Sequence, residues 1–138
     1  LAWGSKANVY GSQINNILRE MNEGQKYRKI LFSMDACFSG SIGEACEGIP
    51  GILFITSANA LETSKADIKD PEMGIWLSNG FTRDFQETID DNPDISIRDL
   101  YYKLARQTVG SHATVYNIES YGSVFKNSML EYLNPARQ

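Results

Sequence analysis

Two five-residue runs, ILFSM at 30–34 and ILFIT at 52–56, constrain the fold of this chain more than any other feature. Neither alternates apolar with polar residues, so neither suits a strand with one face in water. Short continuous apolar runs of this kind suit strands covered on both faces. Covering both faces takes helices on each side, and the flanking segments can supply them. Ile14, Ile17, Leu18 and Met21 keep the i, i+3, i+4, i+7 spacing of an amphipathic helix, with Ser12 as its expected N-cap. Leu77, Phe81 and Phe85 recur every four residues, which predicts a helix from Trp76 to about Ile89, broken by DDNPD. Ser96 with Asp99 reads as a capping box that opens a helix bearing Ile97, Leu100, Tyr101, Leu104 and Ala105 on one face. ATVYNI is a third strand candidate, and Phe125, Met129, Tyr132 and Leu133 predict a last helix that Pro135 stops. The polar stretch from Ser57 to Met73 reads as a loop, too long for a simple connector.

The resulting order of helix, strand, strand, helix, helix, strand, helix predicts an α/β domain with a mostly parallel sheet. The length of 138 residues fits one domain or part of one, and no repeat or linker divides it. A net charge of −4 argues against a general nucleic-acid binder, which normally shows a basic face. No apolar run approaches the ~20 residues that cross a bilayer. The opening LAWGSKANVY lacks the pattern of a signal peptide. Two cysteines and one histidine provide neither a disulfide framework nor zinc-ligand spacing, so no metal or cofactor is expected.

In α/β sheets functional groups gather at the carboxyl ends of strands. There, directly after ILFSM, stands DACFSGS. Cys37 follows the apolar run instead of lying within it, and Asp35 is close by. The small residues Ser39, Gly40 and Ser41 are expected to let a substrate backbone approach, and a helix N-terminus nearby would favour a thiolate. Cys46, between Ala45 and Glu47, has none of these features and reads as structural. A cysteine-phosphatase loop fails, because the residue six after Cys37 is Gly43 where arginine is needed. A receiver domain would need an acidic pair on an earlier strand, and a phosphate-binding P-loop is absent. A thiol nucleophile also needs a base. The single histidine, His112 in GSHATVY, precedes a strand and reads as a structural hydrogen-bonding residue.

YRKILFSMDACFSGS resembles the nucleophile region of the legumain family of cysteine peptidases, within the wider caspase-like group. The resemblance continues through GILFITSANALETSKADIKDPEMGIWLSNGFTRDF, where TSAN, ETS and Asp70 have counterparts in legumains. DPEMGIW is closer to the catalytic subunit of the glycosylphosphatidylinositol transamidase of the same family, and GSHATVYN resembles a downstream legumain segment. The resemblance covers most of Tyr27 to Asn117. It implies a three-layer α-β-α caspase-like fold, with residues 1–138 as the cysteine-bearing part of one peptidase domain that lacks the first strands.

By the same resemblance, Cys37 is the nucleophile that attacks a peptide carbonyl, and its backbone N–H is one oxyanion-hole donor. Asp35 lines the specificity pocket, which Thr63, Ser64 and Asn79 also shape. Ser57, Ala58 and Asn59 form the stretch along which substrate backbone pairs. The family's catalytic histidine belongs to a His-Gly pair further upstream than the 36 residues that precede Cys37 here. A paired N-terminal fragment carrying His-Gly and the first strands is therefore the expected partner, alongside a peptide or protein substrate. His112 corresponds to a non-catalytic histidine. The legumain position matching Asn79 is acidic, so the resemblance does not carry over a preference for asparagine at the cleaved bond. Three functions follow: an endopeptidase, a transpeptidase or transamidase in which an amine resolves the thioester, and a silent scaffold that binds peptides without turnover. The resemblance favours a secreted or periplasmic setting.

Overall fold

The computed structural model describes residues 2–3, 7–69, 71–72, 74 and 76–133. Strands β1 (Ala2–Trp3) and β2 (Ala7–Asn8) pair antiparallel as a small sheet of their own. Helix α1 (Gly11–Glu23) starts earlier than expected. Its N-cap is Tyr10, not Ser12, because the Gln13 side chain reaches back to accept the Tyr10 backbone N–H at 2.9 Å. Strand β3 (Ile30–Met34), helix α2 (Gly40–Ala45) and strand β4 (Ile52–Thr56) form a crossover unit. β3 and β4 run parallel, from Ile30 opposite Ile52 to Met34 opposite Thr56.

The stretch read as a loop contains a strand, β5 (Ala66–Lys69), which pairs antiparallel with β6 (Trp76–Asn79). The helix expected from Trp76 is α3 (Gly80–Asp91), so its predicted first turn is a strand. Phe81 and Phe85 pack on the core, while Leu77, in β6, shares their four-residue spacing without sharing their helix. α4 (Ile97–Gln107) carries the Ser96 cap, whose Oγ accepts the Asp99 N–H at 3.1 Å. β7 (Thr114–Tyr116) pairs antiparallel with β4 and is shorter than ATVYNI. Asn117 ends it by turning to φ +68, ahead of the short α5 (Ile118–Tyr121). The last helix is a single turn, α6 (Leu130–Leu133). Phe125 lies outside it, exposed beneath the Arg98 guanidinium. Asp70 and Pro135 fall outside the described residues.

β4 explains the layering. Ile52, Leu53, Phe54 and Ile55 are all fully buried, and alternate residues enter different cores. Leu53 and Ile55 meet Phe81, Ile97, Leu100 and Leu104 of α3 and α4. Ile52 and Phe54 meet Leu18 of α1 and Ile42 and Cys46 around α2. The sheet is thus the middle of three layers, and the chain is α/β. Each of these side chains contributes about 1.5–3 kcal/mol by leaving water. Phe32 stacks on Phe54, with centroids 4.9 Å apart, which ties β3 to the α1–α2 side. Unlike β4, β3 is only half-buried, and among the described residues it pairs on one edge alone.

Candidate active site

β3 ends at Met34 and the chain turns through Ala36 to Ser39, closed by a Ser39 N–H to Ala36 carbonyl bond of 3.2 Å. Cys37 is exposed in that turn, at the carboxyl end of β3. Its Sγ lies 3.8 Å from the Ser64 carbonyl oxygen. Its backbone N–H has no hydrogen-bond partner among the described residues. Phe38 adopts φ +57, a conformation that costs an aromatic residue on the order of 1 kcal/mol or more. The Phe38 N–H donates to the Glu62 carbonyl at 2.8 Å and holds the turn in place.

The small residues after Cys37 do not leave room for a substrate. Ser39 is buried, and its Oγ donates to the Ala58 carbonyl at 3.2 Å. A Cβ on Gly40 would sit 2.2 Å from the Tyr116 hydroxyl oxygen, and one on Gly43 would sit 2.5 Å from the Tyr116 ring. Their smallness lets α2 press onto β7 and the 58–60 segment. That packing fixes the base of the Cys37 turn.

Asp35 is held by two hydroxyls. Ser64 Oγ donates to Oδ1 at 2.8 Å and Thr82 Oγ1 donates to Oδ2 at 2.6 Å. The sequence reading included Ser64 but missed Thr82, an exposed residue in the first turn of α3. Its only signal was its position three residues beyond Asn79. Asn79 itself ends β6 opposite Ala66 and stands at the N-cap position of α3, without a side-chain capping bond. Thr63 is exposed between the Glu62 anchor and Ser64.

Ser57 and Ala58 are fully buried, and their main-chain groups are already engaged. The Ser57 N–H donates to the Met34 carbonyl, the Ser57 carbonyl accepts from Ser111 Oγ at 2.7 Å, and the Ala58 N–H donates to Ser39 Oγ. Asn59 is half-buried, and its Oδ1 accepts the Leu61 N–H at 2.8 Å.

The Glu62 carboxylate locks this wall. Oε1 accepts the Asn59 N–H at 2.9 Å and the His112 N–H at 2.8 Å, while Oε2 lies 2.8 Å from His112 Nδ1. The Asn59 N–H foremost, with His112 beside it, pulls the Glu62 carboxyl down to about 2. His112 is thus a hydrogen-bonding residue, with its imidazole on Glu62. Cys46 is fully buried among Leu18, Ile42 and Ile49, and burial pushes its thiol pKa up.

Among the described residues, no group of three or more His, Cys, Asp or Glu could hold a metal ion, and no helix is long and apolar enough to cross a membrane. The family model described as the Peptidase C13 family matches residues 1–130. The GPI-anchor transamidase of Saccharomyces cerevisiae is 27% identical over 110 residues, covering 78% of this chain and 26% of that protein. Legumain of Mus musculus is 26% identical over 114 residues, covering 81% of this chain and 26% of legumain. Legumain of Bos taurus is 26% identical over 115 residues, with 83% and 26% covered. The chain spans about a quarter of the length of the curated relatives it matches. The family match takes in the three-stranded sheet, the Cys37 turn and the Asp35 cluster alike, and on that match the chain belongs to the Peptidase C13 family.

Proposed function

We propose that this chain is the cysteine-bearing portion of a single caspase-like peptidase domain that hydrolyses peptide bonds. The observation that carries the proposal is the exposed Cys37 at the carboxyl end of β3, with its backbone N–H unengaged. In this reading the Cys37 thiolate attacks the scissile carbonyl carbon. The Cys37 N–H stabilises the developing oxyanion. The histidine of an upstream His-Gly pair takes the thiol proton and returns it to the departing amine, and water then hydrolyses the thioester. The glycine supplies the second oxyanion donor. The segment bearing that pair adds strands to the outer edge of β3. Support comes from β3 itself, which is half-buried and, among the described residues, pairs on one edge alone. Asp35, Thr63, Ser64 and Asn79 shape the specificity pocket. Substrate backbone pairs along the stretch Ser57, Ala58 and Asn59 through the Asn59 carbonyl, because the N–H groups of all three and the carbonyls of the first two are engaged internally.

A second reading keeps the thioester and changes the acceptor to an amine, giving a transamidase. The similarity to GPI-anchor transamidase favours considering it. Peptide cleavage by the full-length protein tests the first reading. Cys37→Ala should lower turnover by about a thousandfold or more, with the circular dichroism spectrum unchanged. Turnover that survives the substitution overturns the proposal. A new amide formed with added amine, in preference to acid product, favours the second reading.

A further inference from the structure

The surroundings of Asp35 carry information about substrate that the nucleophile does not. A hydroxyl has one proton to donate. Ser64 and Thr82 each give theirs to Asp35, one to each carboxylate oxygen. What remains at the cluster is acceptors: the other lone pairs of the carboxylate and those of two hydroxyl oxygens. Among the described residues no lysine or arginine pairs with Asp35. Arg83, next to Thr82 in sequence, instead lies 3.2 Å from Asp84 Oδ1. The cluster also adjoins the nucleophile, since the carbonyl of the same Ser64 lies 3.8 Å from Cys37 Sγ.

An acceptor-only site is satisfied by a group with several N–H donors and no acceptor. Guanidinium and ammonium fit that description, and both carry the charge that the carboxylate calls for. An asparagine amide carries no charge, and its carbonyl oxygen finds no donor in Asp35, Ser64 or Thr82. It therefore gains less from this carboxylate than a cation does, even where Thr63 or Asn79 offers a hydrogen. A carboxylate side chain is repelled. We infer that Asp35, Ser64 and Thr82 select a substrate with arginine or lysine before the scissile bond, and that Thr82 is a positioning residue for Asp35. This inference rests on the cysteine-peptidase reading above and names the substrate class of the same site.

The test uses the full-length protein and peptide acyloxymethyl ketones, which alkylate a thiol, with Arg, Lys, Asn or Asp at the residue bearing the ketone. Iodoacetamide serves as a reagent with no side chain to recognise. The Arg and Lys reagents should modify Cys37 about tenfold to a hundredfold faster than the Asn reagent. Asp35→Asn should erase that ratio when each peptide-reagent rate is divided by the same variant's iodoacetamide rate, which corrects for the change in thiol reactivity that loss of a neighbouring charge brings. Thr82→Val should lower the Arg rate several-fold by weakening reagent binding, and Thr82→Ser should restore it; a merely structural threonine would not give this split. An Asn reagent that matches or beats Arg, with iodoacetamide still modifying Cys37, overturns the specificity and leaves the cysteine chemistry standing. If no peptide reagent modifies Cys37 while iodoacetamide does, the peptidase reading falls and the specificity with it.

Discussion

Cys37 and Cys46 stand nine residues apart at the two ends of α2, and their surroundings are opposites. Cys37 lies in an exposed turn three residues before the helix, with a carbonyl as its nearest polar contact. Cys46 caps the other end of the helix and is sealed beneath Leu18, Ile42 and Ile49. α2 itself is pinned by Tyr116 against Gly40 and Gly43, so neither end can shift without breaking that fit. The same two turns of helix therefore expose one thiol and bury the other. Identity of side chain says nothing about reactivity here; placement relative to the sheet decides it.

The largest expected effect tests that contrast directly. In the native protein, iodoacetamide should modify Cys37 at least about a hundredfold faster than Cys46, because a buried thiol reacts only when the structure opens around it. Peptide mass spectrometry over a time course reads the two rates, and urea should bring them together. Comparable native rates would mean that α2 does not seal Cys46.

The second effect is on stability. Cys46→Ser places a hydroxyl among aliphatic side chains and should cost about 1–3 kcal/mol in urea unfolding. Cys37→Ser, in an exposed turn, should stay within about 0.5 kcal/mol of the parent. A Cys46→Ser protein as stable as the parent would show that the α1–α2 core has room for a water or a partner at that position.

The same contrast separates what sequence could and could not reveal. The strands β3 and β4 and the amphipathic α1 and α4 are written in local patterns, because burial on one or two faces leaves a trace. The half-burial of β3, a strand that reads as covered on both faces, is not so written. Cys37 stands out by its place after the apolar run and Cys46 reads as structural for lacking those surroundings, whereas the role expected of Asp35 comes from the family resemblance. The β5–β6 pair was missed, since short antiparallel strands in a polar loop leave no such trace, and Leu77 mimicked a helical repeat. Thr82 and Glu62 were missed as site residues for a different reason. Their roles depend on partners 47 residues away at Asp35 and 50 residues away at His112. Gly40 was misread because a glycine that admits a neighbouring tyrosine looks, in one dimension, like a glycine that admits a substrate.

Glu62 offers the smallest effect and the sharpest sign. Its carboxylate joins the Asn59 turn to His112, while its own carbonyl holds the Phe38 N–H beside Cys37. The folded protein holds this carboxyl at about 2, below its ordinary 4.5. A depressed folded value stabilises the protein above the unfolded value, and that contribution is lost as pH falls from 4.5 through about 2. Glu62→Gln keeps an acceptor oxygen and removes the charge. It should lower Tm by about 2–4 °C near neutrality, for a loss of about 1 kcal/mol as charged hydrogen bonds become neutral ones. The gap should narrow below pH 4.5 and close near pH 2. His112→Ala should give a smaller loss, because its ring is exposed and the Asn59 bond survives, and it should leave the Cys37 alkylation rate within about twofold. A Glu62→Gln deficit that is equal at pH 2 and pH 6 would mean that shape alone, and not charge, holds the wall beside Cys37. A large fall in Cys37 reactivity in His112→Ala would instead put the imidazole in contact with the thiol, against the geometry that places it on Glu62.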